Sequence, residues 1–222
     1  MSKRLCLPKL QSSAPEPATS SEEEYSFAQF WRCALQVNPF NYQAAYRGQD
    51  HGHDEDGYNQ ALLEKCLTLG IRVVGIADHG SVGSVDKLRE TLSAKGIVVF
   101  PGFEISSTEK IHMVCLFPEN TTRDQLNRYL GKLDLTNVED GVRPSNLGCL
   151  ELAKRIHEIG GLWYAAHATG KNGLLRLNKD GGGLAHIWKD SQCVRVVQIP
   201  GSVSDLPENY RNIVENKNPD YH

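Results

Sequence analysis

Short apolar segments alternate with amphipathic segments along most of this 222-residue chain, and this alternation limits the folds open to it. The apolar segments have the length of β-strands, whereas the others have the spacing of helices with one buried face. Strands that are apolar throughout and separated by helices are typical of a parallel sheet with a covered outer face. The sequence therefore predicts an α/β fold, either a βα barrel or a doubly wound sheet. The predicted strands are 31–37, 71–77, 97–100, 103–106, 111–117, 162–166 and 194–199, and the predicted helices are 57–69, 84–94, 121–130 and one capped by Ser145.

Composition excludes two classes of protein. The formal net charge is −3, so the chain is not a globally basic nucleic-acid binder. No apolar run is long enough to cross a membrane, and the first residues lack the apolar stretch of a secretory signal. The cysteines form no CxxC pair and are expected to be reduced thiols, mostly in the core. We therefore expect a cytoplasmic protein with no membrane partner.

The first part of the chain differs in composition from the rest. Residues 1–24 are rich in Pro, Ser and Glu and contain too few apolar side chains to order themselves. The apolar pattern starts near Tyr25. We therefore expect a disordered tail over residues 1–24 and a folded domain over residues 25–222.

Titratable side chains lie at or near the ends of four predicted strands. They are Asp78, His79, Glu104, His112 and His167. In a parallel sheet most of these side chains converge on one rim, because the carboxyl ends of the strands lie at the same edge. Imidazole and carboxylate groups are ligands of Zn²⁺, Mn²⁺ and Fe²⁺. The sequence therefore predicts a divalent-metal site of the kind that activates water and polarises a phosphoryl oxygen.

Each of these residues also has a structural explanation. A single histidine at a strand end is more often a core side chain with a hydrogen-bond partner than a metal ligand. Asp78 is able to cap the next helix, and Glu104 is able to pair with Lys110. His112 lies in an otherwise apolar strand and therefore needs a polar partner or a metal. Titratable residues at the ends of four strands are better explained by one metal site than by a separate structural role for each residue.

A second histidine pair, His51 and His53, lies among acidic residues. An HxH pair beside carboxylates is a candidate metal site, but no strand precedes it, which favours an exposed loop. Both interpretations stay open for this pair. The sequence contains no glycine loop with Walker spacing and no GxSxG nucleophile motif.

Three motifs follow one another in a characteristic order. They are the apolar segment 75–80 that ends in Asp-His-Gly, the Pro-Gly-Phe-Glu segment within 100–106, and the segment 164–167 that ends in histidine. Together with His112, they resemble the PHP family, which is named for polymerases and histidinol phosphatase. The resemblance covers about residues 28–200 and implies a distorted seven-stranded βα barrel, up to three metals, and hydrolysis of phosphate esters. Within the family, the chain looks most like the N-terminal PHP domains of large TrlF-like or SMC-like bacterial ATPases.

The resemblance implies a role for each candidate residue. Glu104 would bridge two metals, and His112 and His167 would complete the shell of the second metal. His79 would bind a third metal, and Asp78 would orient its neighbours. The resemblance thus assigns Asp78 and His79 to the catalytic machinery, and Glu104, His112, His167 and His79 to metal binding.

The sequence also departs from the family pattern. The His-x-His of the first family motif aligns with residues 35–39, where Gln36 and Asn38 replace the two imidazoles. The sixth strand carries Gln198, and no further apolar strand follows within residues 201–222. About six of the seven barrel strands are therefore expected. The chain is interpreted as an incomplete barrel, either the N-terminal part of a longer chain or a barrel that does not close.

One metal site retains three protein ligands, namely Glu104, His112 and His167, with room for water. We therefore expect one divalent metal, zinc, manganese or iron, and a metal-dependent phosphoesterase that acts as a phosphatase or a nuclease. Lys171, Arg176 and Lys110 are the candidates for binding the substrate's negative charge. By the resemblance, an ATPase domain in cis or in trans and a role in DNA metabolism or phage defence are implied.

The loss of the first motif supports a second interpretation. A catalytically degenerate PHP module would keep the fold and serve as a docking or regulatory domain for a fused or partner ATPase. A pure nucleic-acid-binding domain is less favoured, because the chain has an acidic balance and no interleaving of basic and aromatic residues.

Overall fold

Five strands form one sheet in which neighbours along the chain are also neighbours in space. The computed structural model describes residues 30–42, 52–135, 144–179, 183–189 and 196–221. The predicted tail at residues 1–24 lies outside these ranges. The strands are β1 (Arg32–Val37), β2 (Ile71–His79), β3 (Val98–Ser106), β4 (His112–Leu116) and β5 (Leu162–Ala165). The α-helices are α1 (Glu55–Leu69), α2 (Val85–Ser93), α3 (Arg123–Lys132), α4 (Cys149–Glu158), α5 (Gly183–Lys189) and α6 (Glu208–Val214).

Four strands run in one direction, and β4 runs in the other. The pairs β1–β2 and β2–β3 are parallel, whereas β4 is antiparallel to both β3 and β5. The α/β class is confirmed, but the expectation of a parallel sheet is wrong at β4. The short segment 107–111 explains this difference, because a parallel pair needs a much longer crossover connection. As a result, β4 begins at the same edge of the sheet at which β3 and β5 end.

Two predicted strand regions differ from those observed. Segments 97–100 and 103–106 belong to one continuous strand, β3. Pro101 does not interrupt this strand, because its carbonyl oxygen still accepts a backbone hydrogen bond at 3.0 Å. Within the described part of the last predicted strand, Val197 forms only an isolated parallel bridge to Ala165. The described chain thus has five strands and one bridge, which is consistent with part of a barrel.

Local hydrogen bonds set the helix ends. The Asp54 side chain caps α1 at its start, and Gly70 ends α1 in the left-handed conformation, with φ of 65°. The predicted cap of α4 is wrong, because Gly148 occupies the N-cap position. The Ser145 hydroxyl instead donates to the Leu133 carbonyl oxygen at 2.6 Å. Ser145 therefore ties the segment before α4 to the end of α3.

Alternation along the strands gives the sheet an outer face and an inner face. Outer-face side chains form the main core with the buried sides of the helices, and they include Val74, Ile76, Phe103, Ile105, Met113, Cys115 and Trp163. The inner face carries a second, smaller cluster, with Ala77, Val114, Leu116, Tyr164 and Ala166. The inner face also carries glycine: a Cβ added to Gly102 would lie 2.0 Å from the Cys115 carbonyl oxygen. Small residues thus let the strands approach closely on the inner side.

The sheet curls so that its first and last strands approach each other. The Tyr164 hydroxyl on β5 donates to the Leu35 carbonyl oxygen on β1 at 3.1 Å. The register of β1 against β2 also shifts between Ala34 and Val37, which is the signature of a bulge in β1. The curled sheet and the bulge together aim Gln36 toward the inner face.

Residues from Trp31 onward form one compact unit. Three of the four described cysteines, Cys66, Cys115 and Cys149, are buried, and Cys33 is exposed. None of the described helices combines the length and the apolar character needed to cross a membrane.

Candidate metal centre

Three strand termini bring His79, Glu104 and His112 together on the inner face. The register of β2 and β3 pairs His79 directly with Glu104, and the register of β3 and β4 pairs Ser106 with His112. His112 is therefore a diagonal neighbour of Glu104 on the same face, within reach of a long side chain. Because β4 is antiparallel, its first residue lies at the rim on which the last residues of β2 and β3 lie.

The three side chains converge on one point of the inner face. One ligand atom from each of His79, Glu104 and His112 lies within 4.8 Å of the other two. The distance from Glu104 Oε1 to His112 Nδ1 is 2.5 Å, and that from Glu104 Oε1 to His79 Nε2 is 3.3 Å. In the described ranges this is the one group of three or more His, Cys, Asp or Glu residues with such geometry.

Glu104 is the buried centre of the cluster, with 2% of its surface exposed. Burial alone would raise the pKa of its carboxyl group, but the neighbouring imidazoles of His112 and His79 outweigh burial and lower that pKa. The carboxyl group is therefore ionised, and it presents a negative charge to the two imidazoles.

The donor set fits a divalent cation. Glu104 Oε1 and His112 Nδ1 are buried, and neither has a hydrogen-bond partner of good geometry among the described residues. Buried polar atoms without such partners are costly unless an ion or a water satisfies them. A carboxylate oxygen and imidazole nitrogens are suitable ligands for zinc, manganese or iron. The cluster is therefore suited to hold one such ion.

The two positions at which amides replace the family's imidazoles have different surroundings. Gln36 lies at the bulge of β1, and its Nε2 donates to Glu104 Oε2 at 2.6 Å. The Asn38 carbonyl oxygen accepts from the Tyr58 hydroxyl at 2.7 Å, and Asn38 Oδ1 is buried without a partner among the described residues. The Gln36 side chain thus belongs to the cluster, whereas the backbone carbonyl oxygen of Asn38 is hydrogen-bonded to Tyr58 on α1.

Asn172 is a site residue that the sequence analysis missed. Its Nδ2 lies 3.0 Å from His112 Nε2, and its carbonyl oxygen accepts from the His112 backbone N–H at 3.0 Å. Asn172 lies in the polar segment after β5, and nothing in the local sequence distinguishes it from other loop amides. Only the contact with His112 identifies it.

His167 lies beside the cluster but outside the group of three. Its ring centroid is 5.1 Å from that of His112. Its φ of 31° is unusual for a residue with a side chain, and its backbone N–H donates to Gln198 Oε1 at 2.8 Å. Burial lowers the pKa of the His167 imidazole. The structure thus brings His167 next to His112, and its role as a ligand stays a prediction.

Asp78 is buried next to His79 in the chain. Its Oδ1 accepts from the His79 backbone N–H at 2.7 Å. Burial raises the pKa of the Asp78 carboxyl group to about 6. The ring of Tyr42 lies 5.2 Å from that of His79. Asp78 thus contacts the backbone of His79 and Tyr42 its ring, and a catalytic role for Asp78 stays a prediction.

The candidate substrate-binding cations lie at the surface. Lys171 is exposed and immediately precedes Asn172, and Arg176 is exposed in the turn of 3₁₀ helix Leu174–Lys179. In the second histidine pair, His53 is exposed, and His51 lies outside the described residues. Lys171 is the sequence neighbour of Asn172, and substrate binding by Lys171 and Arg176 stays a prediction.

An open groove adjoins the cluster between β1 and the bridge at Val197. It has a volume of about 450 Å³ and shares Gln36 with the cluster. Its lining includes Cys33, Leu35, Gln36, Tyr164, Val197 and Gln198. This groove is large enough to admit part of a small molecule beside the cluster.

Comparison with known proteins shows similarity in structure only. No protein-family model and no curated protein matches the chain. The crystal structure of the lesion-specific endonuclease EndoQ from Pyrococcus furiosus matches with a TM-score of 0.52 and 18% identity, over 79% of this chain and 44% of that chain. A protein described as a metal-dependent phosphoesterase from Bifidobacterium adolescentis matches with a TM-score of 0.44 and 16% identity, over 86% of this chain and 83% of that chain. Endonuclease Q in complex with a 27-mer duplex that contains an abasic lesion matches with a TM-score of 0.43 and 19% identity, over 63% of this chain and 35% of that chain.

The match to the Pyrococcus endonuclease establishes a shared fold. This chain spans less than half the length of that protein. At 18% identity, the similarity concerns the fold and not the reaction.

Proposed function

We propose that this chain is a metal-dependent phosphoesterase domain of PHP type that cleaves phosphodiester bonds in nucleic acid. The observation that carries the proposal is the convergence of His79, Glu104 and His112 around buried ligand atoms within 4.8 Å of one another. The fold shared with a lesion-specific endonuclease supports nucleic acid as the substrate class. The open groove beside Gln36 supplies space for a nucleotide unit.

In this proposal the chain's own residues bind the ion and the substrate. Glu104 Oε1 and the imidazoles of His79 and His112 hold a divalent metal, and His167 is the proposed additional ligand. A bound divalent metal supplies Lewis-acid polarisation of a phosphoryl oxygen and an acidified water. Lys171, next to the cluster, attracts the negative phosphate, and Arg176 is proposed to assist it at longer range.

The larger context of the domain is part of the same proposal. The sequence motifs resemble those of PHP domains attached to TrlF-like or SMC-like ATPases, so we propose that an ATPase in cis or in trans works with this domain. A role in DNA metabolism or phage defence would follow from such an association. These statements rest on the sequence resemblance alone.

One observation favours a second candidate function. Gln36 occupies the position of a family imidazole and donates a hydrogen bond to Glu104 Oε2 at 2.6 Å. An amide at this position removes one strong metal ligand, so a degenerate module that docks or regulates an ATPase is the alternative. The two candidates differ in one measurable property, because the degenerate module needs no turnover.

Metal content and hydrolysis test the proposal together. The purified protein is equilibrated with Zn²⁺ or Mn²⁺, desalted and measured by mass spectrometry for metal per chain. We expect bound metal in the wild type and its loss in Glu104→Ala, with a weaker effect in His167→Ala. His157→Ala is the matched control, since His157 is an exposed histidine on α4. Unchanged metal in Glu104→Ala contradicts the proposed site.

Hydrolysis then separates the two candidate functions. Mn²⁺-dependent cleavage of single-stranded DNA or of a generic phosphodiester, lost in Glu104→Ala, supports the phosphoesterase. Bound metal without turnover on either substrate supports the docking module instead.

A further inference from the structure

Two side-chain amides contact the cluster, one from β1 at one edge of the sheet and one from the segment after β5 at the other edge. Gln36 on β1 donates to Glu104 Oε2 at 2.6 Å, and Asn172 after β5 lies 3.0 Å from His112 Nε2. Gln36 contacts Glu104 Oε2, which does not face His112, and Asn172 contacts His112 Nε2, which does not face Glu104. The remaining atoms, Glu104 Oε1 and His112 Nδ1, face each other at 2.5 Å.

We propose that Gln36 and Asn172 are positioning residues that leave one atom of Glu104 and one atom of His112 for a single divalent cation. This inference rests on the proposed function, because it concerns the same metal site. It adds a structural reason for a single cation and the atom by which each ligand binds.

The contact of Gln36 limits Glu104 to one coordinating oxygen. Oε2 already accepts a short hydrogen bond from the amide, and the carboxylate is 2% exposed. A second cation at Oε2 would displace the amide and lose this short hydrogen bond. We therefore expect one cation per chain at this cluster, bound through Oε1.

Asn172 occupies His112 Nε2 with its amide nitrogen, which leaves Nδ1 as the nitrogen that we infer to bind the cation. When Nδ1 of a neutral imidazole binds a metal, the proton resides on Nε2, and the partner of Nε2 must be an acceptor. An asparagine amide is able to present its oxygen in place of its nitrogen, because the two ends of the amide have nearly the same shape. The backbone bond from His112 N–H to the Asn172 carbonyl oxygen keeps the two residues in register during this change.

The bulge in β1 is consistent with a positioning role for Gln36. A regular strand would maintain the register that β1 breaks between Ala34 and Val37. Bulges re-aim single side chains, and this one directs Gln36 at Glu104 across β2. The irregularity thus coincides with the residue that contacts the metal ligand.

Three variants and two controls test the inference. Gln36→Met and Asn172→Leu remove the amides at similar volume. Asn172→Asp keeps an acceptor at His112 Nε2. Two exposed amide side chains on helices provide the matched controls, namely Gln60→Met on α1 and Asn127→Leu on α3. Circular dichroism establishes that each variant is folded.

The readouts are metal stoichiometry, Zn²⁺ affinity by competition with a chelating dye, and the visible spectrum of the Co²⁺-loaded protein. We expect one cation per chain in the wild type and about 10–100-fold weaker Zn²⁺ binding in Gln36→Met and Asn172→Leu. We also expect an altered Co²⁺ spectrum in both variants. Asn172→Asp should bind at least as tightly as the wild type, since a carboxylate is the stronger acceptor. The two control variants should bind as the wild type does.

The outcomes separate this inference from the proposed function. Two cations per wild-type chain, both lost in Glu104→Ala, would overturn the single-cation inference and leave the metal site standing. Equal weakening in Asn172→Asp and Asn172→Leu would overturn the assignment of His112 Nδ1. Wild-type affinity in both Gln36→Met and Asn172→Leu would overturn the positioning role. A wild type that binds no metal contradicts the proposed function and this inference together.

Discussion

Substituting Gly102 with alanine tests whether close strand approach on the inner face holds the fold and the site together. Gly102 lies in β3, two residues before Glu104, and pairs with Leu116 on β4. An added Cβ would lie 2.0 Å from the Cys115 carbonyl oxygen, whereas real Cβ contacts essentially never fall below 3.0 Å. The backbones of β3 and β4 would therefore have to separate by about 1 Å.

The expected cost follows from this displacement. Overpacking a well-packed region costs about 1–3 kcal/mol, and weakened hydrogen bonds between β3 and β4 add to it. We expect Gly102→Ala to lower the free energy of unfolding by about 2–4 kcal/mol. The same displacement shifts Glu104 relative to His112, so metal affinity should fall as well.

Urea unfolding followed by circular dichroism measures this change. Gly131→Ala is the matched control, because Gly131 lies in α3 with no atom within 4 Å of an added Cβ. Alanine in a helix is favoured over glycine by about 0.5–1 kcal/mol, so the control should be slightly more stable than the wild type. An equal unfolding midpoint for Gly102→Ala and the wild type would refute the reasoning, because the inner face would then tolerate a methyl group where β3 and β4 meet.

Two further substitutions test carboxylates that accept backbone hydrogen bonds. Both oxygens of Glu109 accept from the Cys149 backbone N–H, at 3.2 and 3.0 Å, so Glu109→Gln should destabilise the protein by about 1 kcal/mol in urea unfolding, and Glu119→Gln should not. In metal-free protein, burial raises the pKa of Asp78 from 3.8 to about 6. Ionisation of Asp78 therefore lowers the free energy of unfolding increasingly as pH rises from 3.8 to about 6, and by a constant amount above that pH. Asp78→Asn should therefore gain stability relative to the wild type by up to about 3 kcal/mol between pH 4 and pH 7. A stability difference that is the same at both pH values would contradict the assigned pKa.

Much of the fold was predictable because the strands are apolar and end near titratable residues. The predicted strand 71–77 and helix 57–69 lie within β2 and α1. The ends of such segments are also where Asp78, His79 and Glu104 occur, so their meeting at one rim was predictable from position alone. These predictions depend only on local periodicity, which the sequence displays directly.

The contacts of the two amides depend on information that local periodicity lacks. Gln36 reaches Glu104 only because β1 contains a bulge and the sheet curls, and both features arise from packing between strands. Asn172 reaches His112 because the segment after β5 turns back over the start of β4. The sequence around a polar loop residue does not indicate such a contact.

The direction of β4 decides whether the candidate site exists. His112 is the first residue of this five-residue strand. If β4 ran in the opposite direction between β3 and β5, His112 would lie at the far edge of the sheet, about 13 Å away at about 3.3 Å per residue. Glu104 and His79 would then remain as a two-residue pair, too few for a three-ligand site. The short connection 107–111 enforces the antiparallel direction, so a feature that contradicts the expected parallel sheet is also the feature that completes the ligand cluster.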